Sequence, residues 1–315
     1  VPMMNVALSG SLEGGLTPGV TMFAGPSKHF KTAFSLLLAK SYLEKYEDAV
    51  LLFYDSEFGT PISYFDTFEI DKERVLHTPL TDIEQLKFDL MAQLTNLERG
   101  EKLIIIIDSI GNLASKKEVE DALDQKAVAD MTRAKQVKSL FRMITPHLTL
   151  KDIPLVVVNH TYKEIGMFPK DIVGGGTGSY YSADNIFIIG RQQEKEGTEI
   201  VGYNFIINVE KSRYVKEKSK IPVTVSFEGG INKFSGLLEV AIEGGFVVKP
   251  SNGWYSKVDL ETGEVLKEKV RIADTQNAKF WTSILESDKF KQYIKQRYEV
   301  AYGSILETEK ETEEA

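Results

Sequence analysis

Four short apolar runs punctuate the first half of the chain: TMFAG (21–25), AVLLFYDS (49–56), LIIIIDS (103–109) and PLVVVNH (154–160). Their centres show no polar alternation, which predicts strands buried on both faces. Between them apolar positions recur at helical spacing, over about 32–46 and 81–99. Strand and helix in alternation predict a largely parallel sheet with right-handed crossovers. Three further strands, NIFIIG (185–190), YNFIINVEKS (203–212) and PVTVSF (222–227), follow one another closely, which predicts hairpins at one sheet edge. Around 229–236 the composition turns to Gly and polar residues. Beyond lie a short helix at 237–243, the segment FVVKPSNGWYS, a Gly turn at 261–263 and a charged helical stretch. The pattern predicts an α/β fold in four parts: a lead-in (1–20), a core (21–230), a small C-terminal α/β domain (231–303) and a tail (304–315). That tail, rich in Glu and poor in apolar residues, reads as disordered.

Composition narrows the classes. With 42% apolar and 27% charged residues the 315-residue chain reads as globular, and no apolar run approaches the roughly 18 residues of a membrane helix. The absence of Cys excludes disulfides and thiolate metal sites, and four scattered His make a zinc site a poor reading. No basic-then-apolar leader opens the sequence, which predicts a cytoplasmic protein. The chain starts at Val1, so a preceding segment is expected. A net charge of −8 means that any phosphate partner must be held by local basic groups.

Directly after the first strand, GPSKHFKT (25–32) opens a helix. The phosphate-loop template G-x-x-x-x-G-K-[ST] needs amides around the phosphates, a Lys on the β/γ-phosphates and a hydroxyl for Mg2+. Gly25, Lys31 and Thr32 satisfy it, but Phe30 replaces the second Gly. Phe is tolerable there if its φ stays negative and its ring turns away from the nucleotide. The following strands end in Asp55-Ser56-Glu57, Asp108-Ser109 and Asn159-His160. The C-terminal rim of an open α/β sheet is where ligands bind. There Asp108 suits a magnesium shell, Glu57 the activation of water, and His160 a γ-phosphate contact. Each has a blander reading: a helix cap, a solvated carboxylate, a structural His.

In this order, with LFYDSEFG, DSIGNLASKKE and GGGTG, these residues resemble the ATPase core of RecA-family recombinases, bacteriophage members in particular. The resemblance covers nearly the whole chain. It implies a RecA-type P-loop ATPase core with a mostly parallel central sheet, using ATP and Mg2+. Gly25, Pro26, Ser27, Lys28, His29, Phe30, Lys31, Thr32 and Ala33 would wrap the phosphates, and Tyr64 would stack on adenine. Thr32 and Asp108 would hold the metal. Glu57 would activate water, and His160 stands where RecA proper has Gln. Lys211 and Arg213 would reach a neighbouring subunit's nucleotide as arginine fingers do, unless they are only surface charges. The resemblance also implies an N-terminal helix and strand, preceding this chain, that clasp the next subunit.

Two segments are candidates for DNA. The polar stretch at about 115–126, with Lys116 and Lys117, precedes a helix read over about 128–145 and ended by Pro146. On it Arg133, Lys135, Lys138 and Arg142 lie off an apolar stripe of Val137, Leu140, Phe141 and Ile144. The second segment, 161–184, is Gly-rich and should be mobile unless ordered by a ligand. Ile165, Met167 and Phe168 could wedge between bases, and the amides of Gly174, Gly175 and Gly176 could meet phosphates. The basic run 211–220 has five positive residues against one acid. The function implied is an ATP-dependent recombinase that assembles as a helical filament on single-stranded DNA and exchanges strands with a duplex. Its partners would include recombination mediators and single-strand-binding proteins, in the cytoplasm of an infected bacterial host. A helicase-type motor on the same core and a nucleotide-gated binding module are the rival readings.

Overall fold

The computed structural model describes residues 1–124, 131–165 and 170–300. In chain order its elements are α1 (Pro2–Ser9), β1 (Gly19–Ala24), α2 (Lys31–Lys45), β2 (Val50–Asp55), α3 (Ile62–Thr67), β3 (Val75–Pro79), α4 (Ile83–Asn96) and β4 (Leu103–Asp108). There follow α5 (Lys116–Leu123), α6 (Thr132–Leu150), β5 (Pro154–Asn159), β6 (Thr161–Lys163), β7 (Asp171–Val173), α7 (Gly176–Ser182), β8 (Asn185–Glu196) and β9 (Glu199–Ser212). The last are β10 (Lys220–Ser226), β11 (Gly230–Ile231), α8 (Leu237–Glu243), β12 (Val247–Ser251), β13 (Trp254–Lys257), β14 (Val270–Arg271), α9 (Ala278–Glu286) and α10 (Asp288–Tyr298).

Nine strands form one sheet in the order β11-β10-β9-β8-β1-β5-β4-β2-β3. From β8 to β3 neighbours run parallel, and β8 to β11 turn back as antiparallel hairpins. The unbroken apolar runs have a direct cause, because both faces are covered. Leu52, Ile105, Ile107, Leu155 and Val157 pack beneath α4 and α6. Phe23, Phe53, Ile104, Ile106 and Val156 pack on the other face with α1, α2 and the C-terminal helices. The small sheet β12-β13-β14 and α9–α10 join this second cluster through Trp281, Phe290 and Ile294. Trp281 is buried, and its indole N–H donates to the Thr275 carbonyl at 2.7 Å.

Several elements differ from the sequence expectation. β3 had no signal, since VLHTP at an edge is half polar and its residues stay partly exposed. β8 and β9 run further than their apolar cores, as a long hairpin whose outer ends are held by backbone pairing. Pro146 does not end α6, which continues to Leu150. Proline removes only the bond to the fourth residue before it, and burial of Ile144 and Leu148 on either side keeps the helix together. The start expected near 128 lies outside the described residues. Within the polar stretch after Asp108, Lys116–Leu123 form a helix, α5, opened by a capping box between Ser115 and Glu118. The Gly-rich segment is partly ordered as well: β6 pairs with β7, and residues from Gly176 form α7.

Candidate functional site

β1 delivers the chain to the loop 25–30, and α2 begins at Lys31, so the first amides of the helix point back into the loop. Gly25 is dictated by packing, because a Cβ there would lie 3.1 Å from the Ile189 carbonyl oxygen of β8. Phe30 corrects the sequence expectation: its φ is 61°, left-handed, not negative. Such a conformation costs a non-Gly residue about 1–2 kcal/mol. The offset is aromatic packing: the ring stacks on Phe205 at 4.9 Å and meets Phe34 edge-on at 5.3 Å. The loop is braced from β8, where the Arg191 guanidinium donates to the Lys28 carbonyl at 3.1 Å. The Lys31 ammonium is buried and donates to the Pro26 carbonyl at 2.7 Å, folding back across the loop. Burial lowers its pKa, against the pull of Glu57 and Asp108.

Thr32 donates its hydroxyl to Oδ2 of Asp108 at 2.6 Å. Asp108 is 3% exposed, and its Oδ1 has no hydrogen-bond partner among the described residues. Burial pushes its carboxyl up to about 6, partly countered by the Thr32 hydroxyl. A buried, unpartnered carboxylate oxygen beside a hydroxyl is a hard-oxygen donor pair, and it fits Mg2+. Among the described residues no cluster of three His, Cys, Asp or Glu could hold a metal alone. A magnesium ion here would therefore depend on phosphate oxygens and water for its remaining ligands.

Glu57 lies on the rim just after β2, and its Oε1 is 2.9 Å from Nε2 of His160 at the end of β5. The His160 hydrogen bond, foremost, holds the Glu57 carboxyl below the ordinary range despite partial burial. The Ser109 hydroxyl lies 3.4 Å from the same His160 nitrogen. Glu57 and His160 face one cavity of about 490 Å³, lined also by the loop from Ser27 to Ala33, Tyr64 and Asp108. Gly25 and Pro26 are not part of that lining. The far wall was missed by sequence reasoning: Arg191, Tyr203 and Phe205 from the antiparallel strands, with Phe227 just past β10. Arg191 lies opposite Phe205 in register and over the Tyr203 ring at 4.8 Å. The only hint in the sequence was the aromatic alternation at 203 and 205.

His160 also contacts the Gly-rich segment. Its carbonyl accepts from the Gly174 amide at 2.8 Å, and the buried Asn159 donates to the Gly174 carbonyl at 2.8 Å. A Cβ at Gly174 would lie 3.0 Å from the His160 oxygen, so this close approach requires Gly. Gly175 and Gly176 take φ of 86° and 74° as the chain turns into α7. Ile165 is fully exposed at the hairpin's outer end; Met167 and Phe168 lie outside the described residues. Lys116 and Lys117 sit on the first turn of α5, where Lys117 pairs with Asp121 at 3.0 Å. Arg133 does not stand out as a solvent-facing cation. Its guanidinium donates to the carbonyls of Ile110, Gly111 and Leu113, pinning the turn behind Asp108. Lys138 is exposed on α6 where α7 crosses it closely at Gly178. Lys211 and Arg213 are absent from the cavity lining. Lys211 donates to the carbonyls of Tyr180, Tyr181 and Ala183, and Arg213 pairs with Asp184 at 2.6 Å.

Two family models match the chain: the RecA N-terminal domain over residues 3–232, and "Bacteriophage T4, Recombination and repair protein, C-terminal domain" over residues 234–294. The chain is 53% identical over 304 residues to the "Recombination and repair protein" of Enterobacteria phage T4, covering 95% of this chain and 78% of that protein. It is 25% identical over 271 residues to "Protein RecA" of Tropheryma whipplei, covering 84% of this chain and 60% of that one. To "Protein RecA" of Paenarthrobacter aurescens it is 24% identical over 282 residues, covering 86% and 78% respectively.

Proposed function

The chain belongs to the RecA family of recombination proteins, and on that premise and the geometry of the rim we propose a DNA-dependent ATPase that assembles on single-stranded DNA and exchanges strands with a duplex. The recombinase role follows from the family, and the helicase-type motor is set aside. The observation that carries the finer reading is His160, bonded on one side to Glu57 and on the other, through its own carbonyl, to Gly174. A single residue thus joins the phosphate cavity to the Gly-rich segment proposed to touch DNA.

In this reading the amides of 27–32 and the Lys31 ammonium hold the phosphates of ATP. The base lies between Tyr64 and the aromatic wall of Tyr203, Phe205 and Phe227. Thr32 and Asp108 would hold Mg2+, which when bound neutralises charge on the phosphate oxygens. Glu57, kept ionised by His160, accepts a proton from the attacking water. Lys211 and Arg213 are proposed to serve the site of an adjacent protomer in a helical filament. The first DNA segment is proposed around Lys116, Lys117 and Lys138, the second at Ile165 and Gly174 to Gly176. Residues 21–230 are proposed as the ATPase unit and 231–303 as a small appended domain. The place of action that accompanies a phage recombination protein is the cytoplasm of the host.

The test is ATP hydrolysis with and without single-stranded DNA, across protein concentration, beside Glu57→Gln. Turnover should be stimulated by DNA, rise cooperatively with protein and fall at least about a hundredfold in the variant. Hydrolysis indifferent to DNA would overturn the reading. DNA affinity should also fall steeply with salt, because phosphate contacts release counterions.

A further inference from the structure

β3 is the outermost strand of the sheet, and His77 stands on it opposite Phe53 of β2. The imidazole is edge-on to Phe53 and Phe65, with ring centroids at 5.5 and 5.8 Å. Its Nε2 lies 3.3 Å from Oδ2 of Asp55, a residue only 2% exposed. An ionised carboxylate has no proton to give, so Nε2 carries the hydrogen and donates. The other oxygen, Oδ1, accepts the backbone amides of Glu57 at 3.0 Å and Phe58 at 2.8 Å. These bonds close the turn that places Glu57 on the rim, with Phe58 at φ 53°. From the opposite side, Ser56 donates its amide to the Asp108 carbonyl, and its hydroxyl exchanges two hydrogen bonds with the Ser109 backbone. The backbone bearing Glu57 is therefore held from β4 by Ser109 and from β3 by His77 through Asp55.

We propose that His77 is a positioning residue for ATP hydrolysis: by holding the Asp55 carboxylate, it fixes the turn that aims Glu57 at the phosphate loop. This rests on the reading of Glu57 as the group that activates water. His77 lines no part of the nucleotide cavity, and its hydrogen bond reaches Glu57 through Asp55. Without its N–H, Asp55 would keep a buried, charged oxygen lacking that donor, a costly arrangement relieved by rotating the carboxylate. Rotation breaks the bonds to Glu57 and Phe58, and a displacement of about 1 Å at a reacting group can cost up to about a hundredfold in rate.

The experiment measures kcat and KM for ATP, with single-stranded DNA present, in the full chain. The variants are Glu57→Gln, His77→Phe, His77→Leu, His77→Gln and the pair His77→Phe/Glu57→Gln. Phe keeps a ring against Phe53 and Phe65 while removing the N–H, and Gln returns an N–H within reach of Asp55. His77→Phe and His77→Leu should each lower kcat about tenfold, with KM for ATP changed less than about twofold. His77→Gln should recover most of that loss. The paired variant should be no slower than Glu57→Gln alone, since the positioning acts through that carboxylate. Three results would each overturn the proposal: wild-type kcat in His77→Phe, a Gln variant as impaired as the Phe variant, or a further drop in the pair. If Glu57→Gln itself turns over normally, the reading of Glu57 fails, and that single variant identifies the failure as lying there.

Discussion

Asp108 is a buried carboxyl that faces the cavity. Its carboxyl, pushed up to about 6 from an ordinary 3.8, is an acid whose ionisation is opposed first by burial. Between about pH 4 and 6 the folded chain retains a proton that the unfolded chain has released, so stability falls as pH rises through that window. Above it the ionised group costs on the order of 3 kcal/mol. In the presence of a chelator, Asp108→Asn should therefore be more stable than the wild type at pH 7, with the difference shrinking towards zero near pH 4. Denaturant unfolding at a series of pH values checks this, and a difference that stays flat would refute the cost assigned to the carboxylate. The variant should lose hydrolysis while gaining stability, as expected where an active site stores strain for a ligand. In the sequence, Asp108 was legible because LIIIID leaves one carboxylate at the end of a fully apolar strand. The conformation of Phe30 was not, since its left-handed φ is held by contact with Phe205, far away in the chain.

At the scale of elements the same division holds. β1, β2, β4 and β5 were readable because burial on both faces removes polar alternation, a signal carried within each strand. α7 was unreadable, since a run of Gly favours neither helix nor strand, and the contact that closes it comes from β9. There Lys211 gives its ammonium to three carbonyls at the C-terminal end of α7, over separations of about thirty residues. A cation at that end also meets the negative pole of the helix. Partial burial in this cap lowers the Lys211 pKa. Lys211→Ala should free those carbonyls and loosen α7 by about 1–2 kcal/mol. Hydrogen exchange of amides 178–183 should then quicken about tenfold or more without a comparable change in β1 or β5. Unchanged protection would mean that packing against α6 alone holds the helix. Because α7 follows Gly174, this cap connects the proposed DNA segment to the strand that leads into Arg213, which makes Lys211 a poor sole probe of a role in an adjacent site.

For the whole molecule Arg213 is the better probe. The chain is acidic, at −8 overall; its own cavity is lined by Lys28, Lys31 and Arg191, with Arg213 elsewhere beside Asp184. On the proposed assembly an adjacent protomer presents a further cation to this site, and head-to-tail contact that does not close generates a helical filament. On this proposal Glu57→Gln disables the site a protomer owns, whereas Arg213→Ala disables the site of its neighbour. Each variant alone should lose DNA-stimulated hydrolysis while still binding ATP. Mixed in equal amounts on single-stranded DNA, the two should regain activity, because an Arg213→Ala protomer beside a Glu57→Gln protomer has an intact Glu57 and receives an intact Arg213. Random mixing makes about one interface in four competent, so recovery should approach roughly a quarter of the wild-type rate. The recovered rate should depend on the mixing ratio and peak near equal proportions. A mixture no more active than its components, although both bind DNA and ATP, would place the role of Arg213 within its own chain and leave assembly to act on hydrolysis by some other contact.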